Sequence, residues 1–148
     1  MTPRVLLDTG PLVASLNRKD RFHEWARMQC AEIAPPLFTC EPVLAESCFL
    51  LRDCSGGNKA VLELVHRGVL EVAFRLGDHV ASIARLMAKY SSVPMSLADA
   101  CLVRMSEMDA QAVVMTLDTD FLVYRRHARQ AIPIIAPGNG GRPGGGKA

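Results

Sequence analysis

Four carboxylates in this chain occupy positions where an acid is either well aimed or costly. Asp8 closes the apolar run Val5-Leu6-Leu7 and is followed by Thr9-Gly10-Pro11. Asp118 closes Val113-Val114-Met115-Thr116-Leu117 and is followed by Thr119-Asp120-Phe121. Short β-branched and apolar runs bounded by turn residues read as buried strands. An acid at the carboxyl end of such a strand faces the crevice in which open α/β sheets bind ligands. In the helix predicted from Pro42 to about Asp53, Val43, Glu46 and Leu50 fall at i, i+3 and i+7. Glu46 is therefore expected on or beside the apolar stripe, where a lone ionised carboxylate is expensive. Asp99 opens the helix predicted from Ser96 to about Met108. It projects away from the stripe Leu97, Cys101, Met105 and Met108, yet Leu102 and Val103 follow it at i+3 and i+4. A first-turn aspartate also favours the helix dipole.

Each acid alone has a plainer role, as a turn former, a half-exposed helix residue or a first-turn charge. Two independent strands ending in Asp, with a third acid where an acid is expensive, weaken those readings taken together. Asp120 either joins the group or only caps the turn at Phe121. Carboxylates gathered in one crevice repel one another, so a cation is expected to join them. Hard oxygen donors select Mg²⁺ or Mn²⁺ rather than zinc, and such sites engage substrate phosphates. Phosphodiester hydrolysis is the matching chemistry. No G-x-S-x-G, G-x-x-x-x-G-K-[ST] or H-E-x-x-H pattern competes with it. His23, His66 and His79 are most simply surface helix residues. His127 lies in the basic run Arg125-Arg126-His127-Ala128-Arg129. Arg125, Arg126 and Arg129 are thus candidate phosphate contacts, with a solvated face as the alternative.

The bulk composition is compatible with this chemistry. A chain of 148 residues, 49% hydrophobic, builds one domain around one core. The net charge of +2 is not that of a DNA-coating protein. Setting the four acids aside leaves 17 basic against 11 acidic residues. The body is then mildly basic, which suits an anionic substrate brought to metal held by acids. Five cysteines without a C-x-x-C indicate neither a disulfide framework nor a zinc knuckle, and a cytoplasmic location is expected. No apolar segment reaches membrane-spanning length. The first strand is expected to begin almost at the N-terminus, so no signal peptide is expected.

The elements that must position these residues alternate. Helices are predicted from Thr9 to about Asn17, Phe22 to Ile33, Lys59 to Arg67 and Gly77-Asp78 to about Tyr90, besides the two already named. Strands are predicted at Leu37–Thr39, Val69–Phe74 and Ile132–Ala136, besides the two ending in Asp. Phe121 to Gln130 reads as a short helix or turn. Strand–helix alternation indicates an α/β fold with a mostly parallel sheet covered on both faces. From Pro137 the sequence PGNGGRPGGGKA cannot bury apolar surface and is expected to be disordered. The ordered domain is thus expected over residues 1–136, with a tail over 137–148.

In order along the chain, LLDTGPLVA, CEPVLAESCFLL, SVPMSLADACLV and VVMTLDTDFLVYR resemble the motifs of PIN-domain nucleases, and among them VapC-like toxins of toxin–antitoxin pairs. The resemblance runs from about Val5 to Arg125. It implies a three-layer α/β/α sandwich around the sheet. It matches Asp8, Glu46, Asp99 and Asp118 to the family's four acids and Asp120 to a further acid that many members carry. Thr9 and Thr116 fall where polar residues support the site. The implied activity is Mg²⁺- or Mn²⁺-dependent cleavage of RNA by a homodimer that a small antitoxin inhibits. Some relatives carry an additional aspartate where this chain has Ser96. Two other readings remain open: a non-catalytic scaffold that binds RNA or a partner, and a housekeeping nuclease acting on RNA or DNA.

Overall fold

The computed structural model describes residues 2–138. Of the Gly/Pro-rich tail, 139–148 lie outside the described residues. The chain opens with strand β1 (Val5–Leu7), whose three residues are all buried, as a strand covered on both faces requires. Asp8 caps helix α1 (Thr9–Leu16), with Pro11 in its first turn. Helix α2 (His23–Glu32), strand β2 (Leu37–Phe38), helix α3 (Glu41–Leu50) and helix α4 (Gly57–His66) follow. Gly57 is required where it stands, because a Cβ there would meet the Leu51 carbonyl oxygen at 2.5 Å. Strand β3 (Leu70–Glu71) leads through a 3₁₀ turn (Leu76–His79) into helix α5 (Val80–Lys89). Helix α6 (Leu97–Met108) and strand β4 (Val113–Met115) come next, then a second 3₁₀ turn (Thr119–Leu122). A two-stranded antiparallel hairpin, β5 (Arg125–Arg126) and β6 (Gln130–Ala131), precedes the last strand, β7 (Ile134–Ile135).

The main sheet has the order β3-β2-β1-β4-β7, and every pairing in it is parallel. Six helices cover it in a three-layer α/β/α arrangement. The order holds the functional consequence. From β1 the chain winds outward through β2 and β3, then returns to place β4 and β7 on the other side of β1. The topological switch point therefore lies between β1 and β4, where open α/β sheets form their ligand crevice. Val5, Leu6 and Leu7 pair in register with Val113, Val114 and Met115. The residues that leave the two strands are thus delivered side by side.

Several elements differ from expectation for visible reasons. Strand β3 is shorter than Val69–Phe74 because β2 offers only Leu37 and Phe38 as partners. Helix α5 begins only at Val80, since 76–79 wind as the tighter 3₁₀ turn. The segment Phe121–Gln130 is mostly not helical. His127 and Ala128 both adopt left-handed backbone, with φ of 50° and 68°, and turn the chain back into the hairpin. Neither residue is the Gly or Asn that advertises such a turn. The expected stripe on α6 is also displaced. Ala98 to Val103 and Ser106 are buried, while Leu97 and Met108 are exposed. This helix packs against β1, β4, α3, α5 and the hairpin, so one amphipathic stripe does not describe it. Among the described residues no helix is long and apolar enough to cross a membrane.

Candidate metal centre

A crevice of about 450 Å³ opens at the carboxyl ends of β1 and β4. Six carboxylates line it: Asp8, Asp20, Glu46, Asp99, Asp118 and Asp120. None of the described lining residues is Lys, Arg or His.

Asp8 forms the floor. It is 5% exposed, and both its oxygens are held. Oδ1 accepts from the Thr9 amide at 2.8 Å, and Oδ2 accepts from the Thr116 hydroxyl at 2.7 Å. The same Thr116 oxygen accepts from the Asp118 amide at 2.9 Å, so one hydroxyl ties the ends of two adjacent strands together. Asp118 Oδ1 in turn accepts from the Asp120 amide at 2.9 Å and caps the 3₁₀ turn. Asp99 enters from the first turn of α6, whose N-cap is Ser96. The Ser96 hydroxyl accepts from the Asp99 amide at 3.0 Å, which gives that serine a structural task. The Tyr124 hydroxyl donates to Asp99 Oδ2 at 2.7 Å. One ligand atom from each of Asp99, Asp118 and Asp120 lies within 4.8 Å of the others.

Glu46 stands on the rim, and its surroundings correct the expectation of a buried stripe. Val43, Ser47 and Leu51 face inward at i, i+4 and i+8, whereas Glu46 and Leu50 are exposed. The adjacent stripe was disguised by a serine in its middle. Glu46 therefore carries no large desolvation cost. It is tied to the floor instead: the Thr9 hydroxyl donates to its Oε1 at 2.8 Å.

Burial decides the electrostatics. Removal from water pushes the Asp8 carboxyl up to about 7. The hydrogen bonds from Thr116 and Thr9 oppose that rise, and the charges of Asp99 and Asp118 add to it. Asp99 is also raised, chiefly by burial and then by Asp118, against the hydrogen bonds from Tyr124 and Ser96. Tyr124 is raised by burial and by donating to Asp99, so it stays a donor. Two carboxyls whose ionised form is disfavoured beside further acids are the condition that a bound cation relieves. The donor set fits a hard ion, because carboxylate and hydroxyl oxygens converge and Asp118 and Asp120 are only half-buried, leaving room for water. The buried Cys40 thiol is pushed upward by its contact with Cys101 and by burial, so it offers no thiolate to a softer metal.

The basic run lies elsewhere. Arg126 is buried, with its guanidinium donating to the carbonyls of Ser106 at 3.2 Å and Ala110 at 2.9 Å. It closes the carboxyl end of α6 and is not available to a phosphate. Arg125 donates to the carbonyls of Leu122 and Tyr124, and its amide donates to the Tyr90 hydroxyl at 3.0 Å. Arg129 is exposed and does not line the crevice. His79 is not a plain surface residue, since it stacks on Phe74 and its Nδ1 accepts from Arg104. Sequence reasoning missed Tyr124, although a tyrosine at a buried position needs a partner for its hydroxyl. It also missed Asp20, hidden in a charged connection between helices.

Known proteins agree with this architecture. The PIN domain family model matches residues 5–127. The solved structure of Mycobacterium tuberculosis VapC20, described as a sarcin-ricin loop cleaving toxin, superposes with a TM-score of 0.67 at 22% identity. That likeness covers 78% of this chain and 91% of the VapC20 chain. No curated protein matches the chain significantly. With the matched region taking in β1 through the start of the hairpin, and with it every acid of the crevice, the chain belongs to the PIN domain family.

Proposed function

We propose that this chain is a Mg²⁺- or Mn²⁺-dependent endoribonuclease, acting in the cytoplasm as the toxin of a toxin–antitoxin pair. The observation that carries the reading is the pair of buried, raised carboxyls, Asp8 and Asp99, beside Asp118 and Asp120. Asp8, Asp99 and Asp118 hold the ion, and Asp120 completes its surroundings. Bound there, a divalent ion supplies positive charge to a phosphoryl oxygen and makes water more acidic.

The remaining work belongs to the chain. Thr116 and the Thr9 amide fix both oxygens of Asp8, so no rotational freedom is lost when substrate arrives. Tyr124 holds Asp99 in one rotamer through its hydroxyl. Glu46, on the exposed rim and steadied by Thr9, orients the attacking water and accepts its proton. The name of the VapC20 structure supports structured RNA as the substrate class. A homodimer and a small antitoxin partner belong to the same reading.

The test is cleavage of RNA in Mg²⁺ by Asp8→Asn and Asp99→Asn variants that melt as folded proteins. A loss of at least about a hundredfold is expected. Undiminished cleavage overturns the proposal. Absence of Mg²⁺ binding in a calorimetric titration, with no change on Glu46→Gln, favours a non-catalytic scaffold instead. A neighbouring antitoxin-like reading frame separates a toxin from a housekeeping nuclease.

A further inference from the structure

A second cavity, of about 360 Å³, opens where α5, α6 and the hairpin meet. Its charge is opposite to that of the crevice. Arg85 and Lys89 reach it from α5, Arg104 from α6, and Arg125 and His127 from the hairpin. One carboxylate, Glu107, faces them. Both of its oxygens are engaged: Oε1 accepts from Arg104 at 3.1 Å, and Oε2 accepts from the His127 amide at 2.9 Å. Among the described residues, Arg85, Lys89 and Arg125 form no ion pair. Three like charges beyond the one neutralised by Glu107 therefore converge on one concavity.

The cavity wall is held rather than loose. The left-handed residues His127 and Ala128 form part of it. Glu107 grips the His127 amide, and the Lys89 ammonium donates to the Ala128 carbonyl at 3.4 Å. The cavity is also coupled to the crevice. Tyr90 follows Lys89, accepts the Arg125 amide at its hydroxyl and packs edge-on against Tyr124 at 5.1 Å. Tyr124 is the donor to Asp99. Past Tyr90 the chain runs to Val93 and Pro94, which line the crevice. The four steps of chain from Lys89 to Val93 span at most about 14 Å.

We infer that this cavity binds backbone phosphates of the RNA strand on one side of the bond cut in the crevice. The inference rests on the nuclease reading for its substrate. A crevice lined by six carboxylates cannot grip a polyanion through its own side chains, so binding energy beyond what a bound ion contributes must come from outside the reacting centre. Arg and Lys in a concave site engage phosphate oxygens by charge-assisted hydrogen bonds, without regard to base sequence. This replaces the linear run Arg125–Arg129 with a spatial set, since Arg126 is committed to the end of α6.

The test is fluorescence anisotropy of a labelled single-stranded 12-nucleotide RNA, in chelator so that no cleavage occurs, over a range of KCl. Arg85→Ala/Lys89→Ala is compared with Lys59→Ala/Arg67→Ala, in α4 and at its C-cap, positions that line neither cavity. Thermal melts confirm that both variants are folded. The cavity variant is expected to bind at least tenfold more weakly near 0.1 M salt. Its salt slope should fall by about 1.4, or about 0.7 per lost phosphate contact. The α4 variant should keep the wild-type slope. Equal losses in both variants, or no measurable binding by the wild type, overturn the inference. Unchanged RNA binding with lost binding of poly-glutamate also overturns it and assigns the cavity to an acidic protein segment. If the chelator result holds but the wild type does not cut RNA in Mg²⁺, the nuclease reading falls and the cavity stands. If the wild type cuts and the cavity variant cuts with unchanged KM, the cavity alone falls.

Discussion

The two ends of the central sheet are both concave, and they handle charge in opposite ways. At the amino end a cavity of about 170 Å³ lies between Arg4, Leu6, Phe38, Met105 and Asp109. Its charges cancel locally: the Arg4 guanidinium sits 4.9 Å from the centre of the Phe38 ring and pairs with Asp109 at 3.5 Å. At the carboxyl end, β1 and α6 deliver Asp8 and Asp99 into a crevice with four further acids, and burial disfavours the ionised form of both. The same strand and the same helix border both hollows. Concavity alone therefore does not mark a site. The mark is a set of desolvated like charges that the fold holds in place with dedicated hydrogen bonds.

The largest expected effect separates the two ends directly. On the proposed function, Asp99→Asn should lower Mg²⁺-dependent RNA cleavage about a thousandfold, since several kcal/mol of charge stabilisation would depend on an ion held there. Asp109→Asn, at the amino end, should change it less than twofold. Comparable losses at both ends would break the contrast.

Next in size is stability without metal. Asp8 titrates near 3.8 when unfolded and at about 7 when folded, so the folded state binds this proton more tightly. Its contribution is fully present below about pH 3.8 and is lost as pH rises to about 7. Urea unfolding in chelator at pH 8 should therefore find Asp8→Asn more stable than the wild type, by on the order of 3 kcal/mol. The gap should close towards pH 4. Adding Mg²⁺ should stabilise the wild type and leave the variant nearly unchanged. A variant less stable than the wild type at pH 8 would mean that the Thr116 and Thr9 hydrogen bonds outweigh burial.

Tyr124→Phe should weaken Mg²⁺ binding about tenfold by calorimetry, the usual effect of releasing a metal ligand's own hydrogen-bond donor. Unchanged affinity would show that Ser96 and the packing of α6 are enough to hold Asp99. The smallest effect belongs to the amino end. Arg4→Ala should cost less than about 1 kcal/mol in the same unfolding assay, because its pair with Asp109 is largely exposed. A larger loss would make that end more than a neutralised corner.

The parts of the site legible in the sequence were those governed by local pattern. Asp8 and Asp118 follow short buried runs, and strand-end logic alone aims them into one crevice. Glu46 lines the crevice for a different reason from the one its spacing suggested: periodicity put it on or beside the stripe of Val43 and Leu50, whereas Val43, Ser47 and Leu51 form the buried face and Glu46 is exposed on the rim. A serine in the core is invisible to a count of apolar residues. The hairpin at 125–131 escaped notice because its left-handed turn is made by His127 and Ala128. Tertiary contacts from Glu107 and Lys89 hold a conformation that local propensity disfavours. Arg126 looked like part of a cationic surface, and only the end of α6 shows where its guanidinium goes.

The sequence by itself determined the alternation of strands and helices, the acids at the strand ends and the membership of a family of such folds. These depend on burial period and on turn residues, which act over a few positions. The tertiary structure decided the order β3-β2-β1-β4-β7 and with it the switch point that joins Asp8 to Asp118. It also decided that Thr116 ties Asp8 to the end of β4, that Tyr124 holds Asp99, and that Arg85, Lys89, Arg104 and Arg125 meet in one cavity. Those are contacts between residues distant along the chain. Their energies depend on desolvation and on geometries of a few ångström, which exist only once the core has formed.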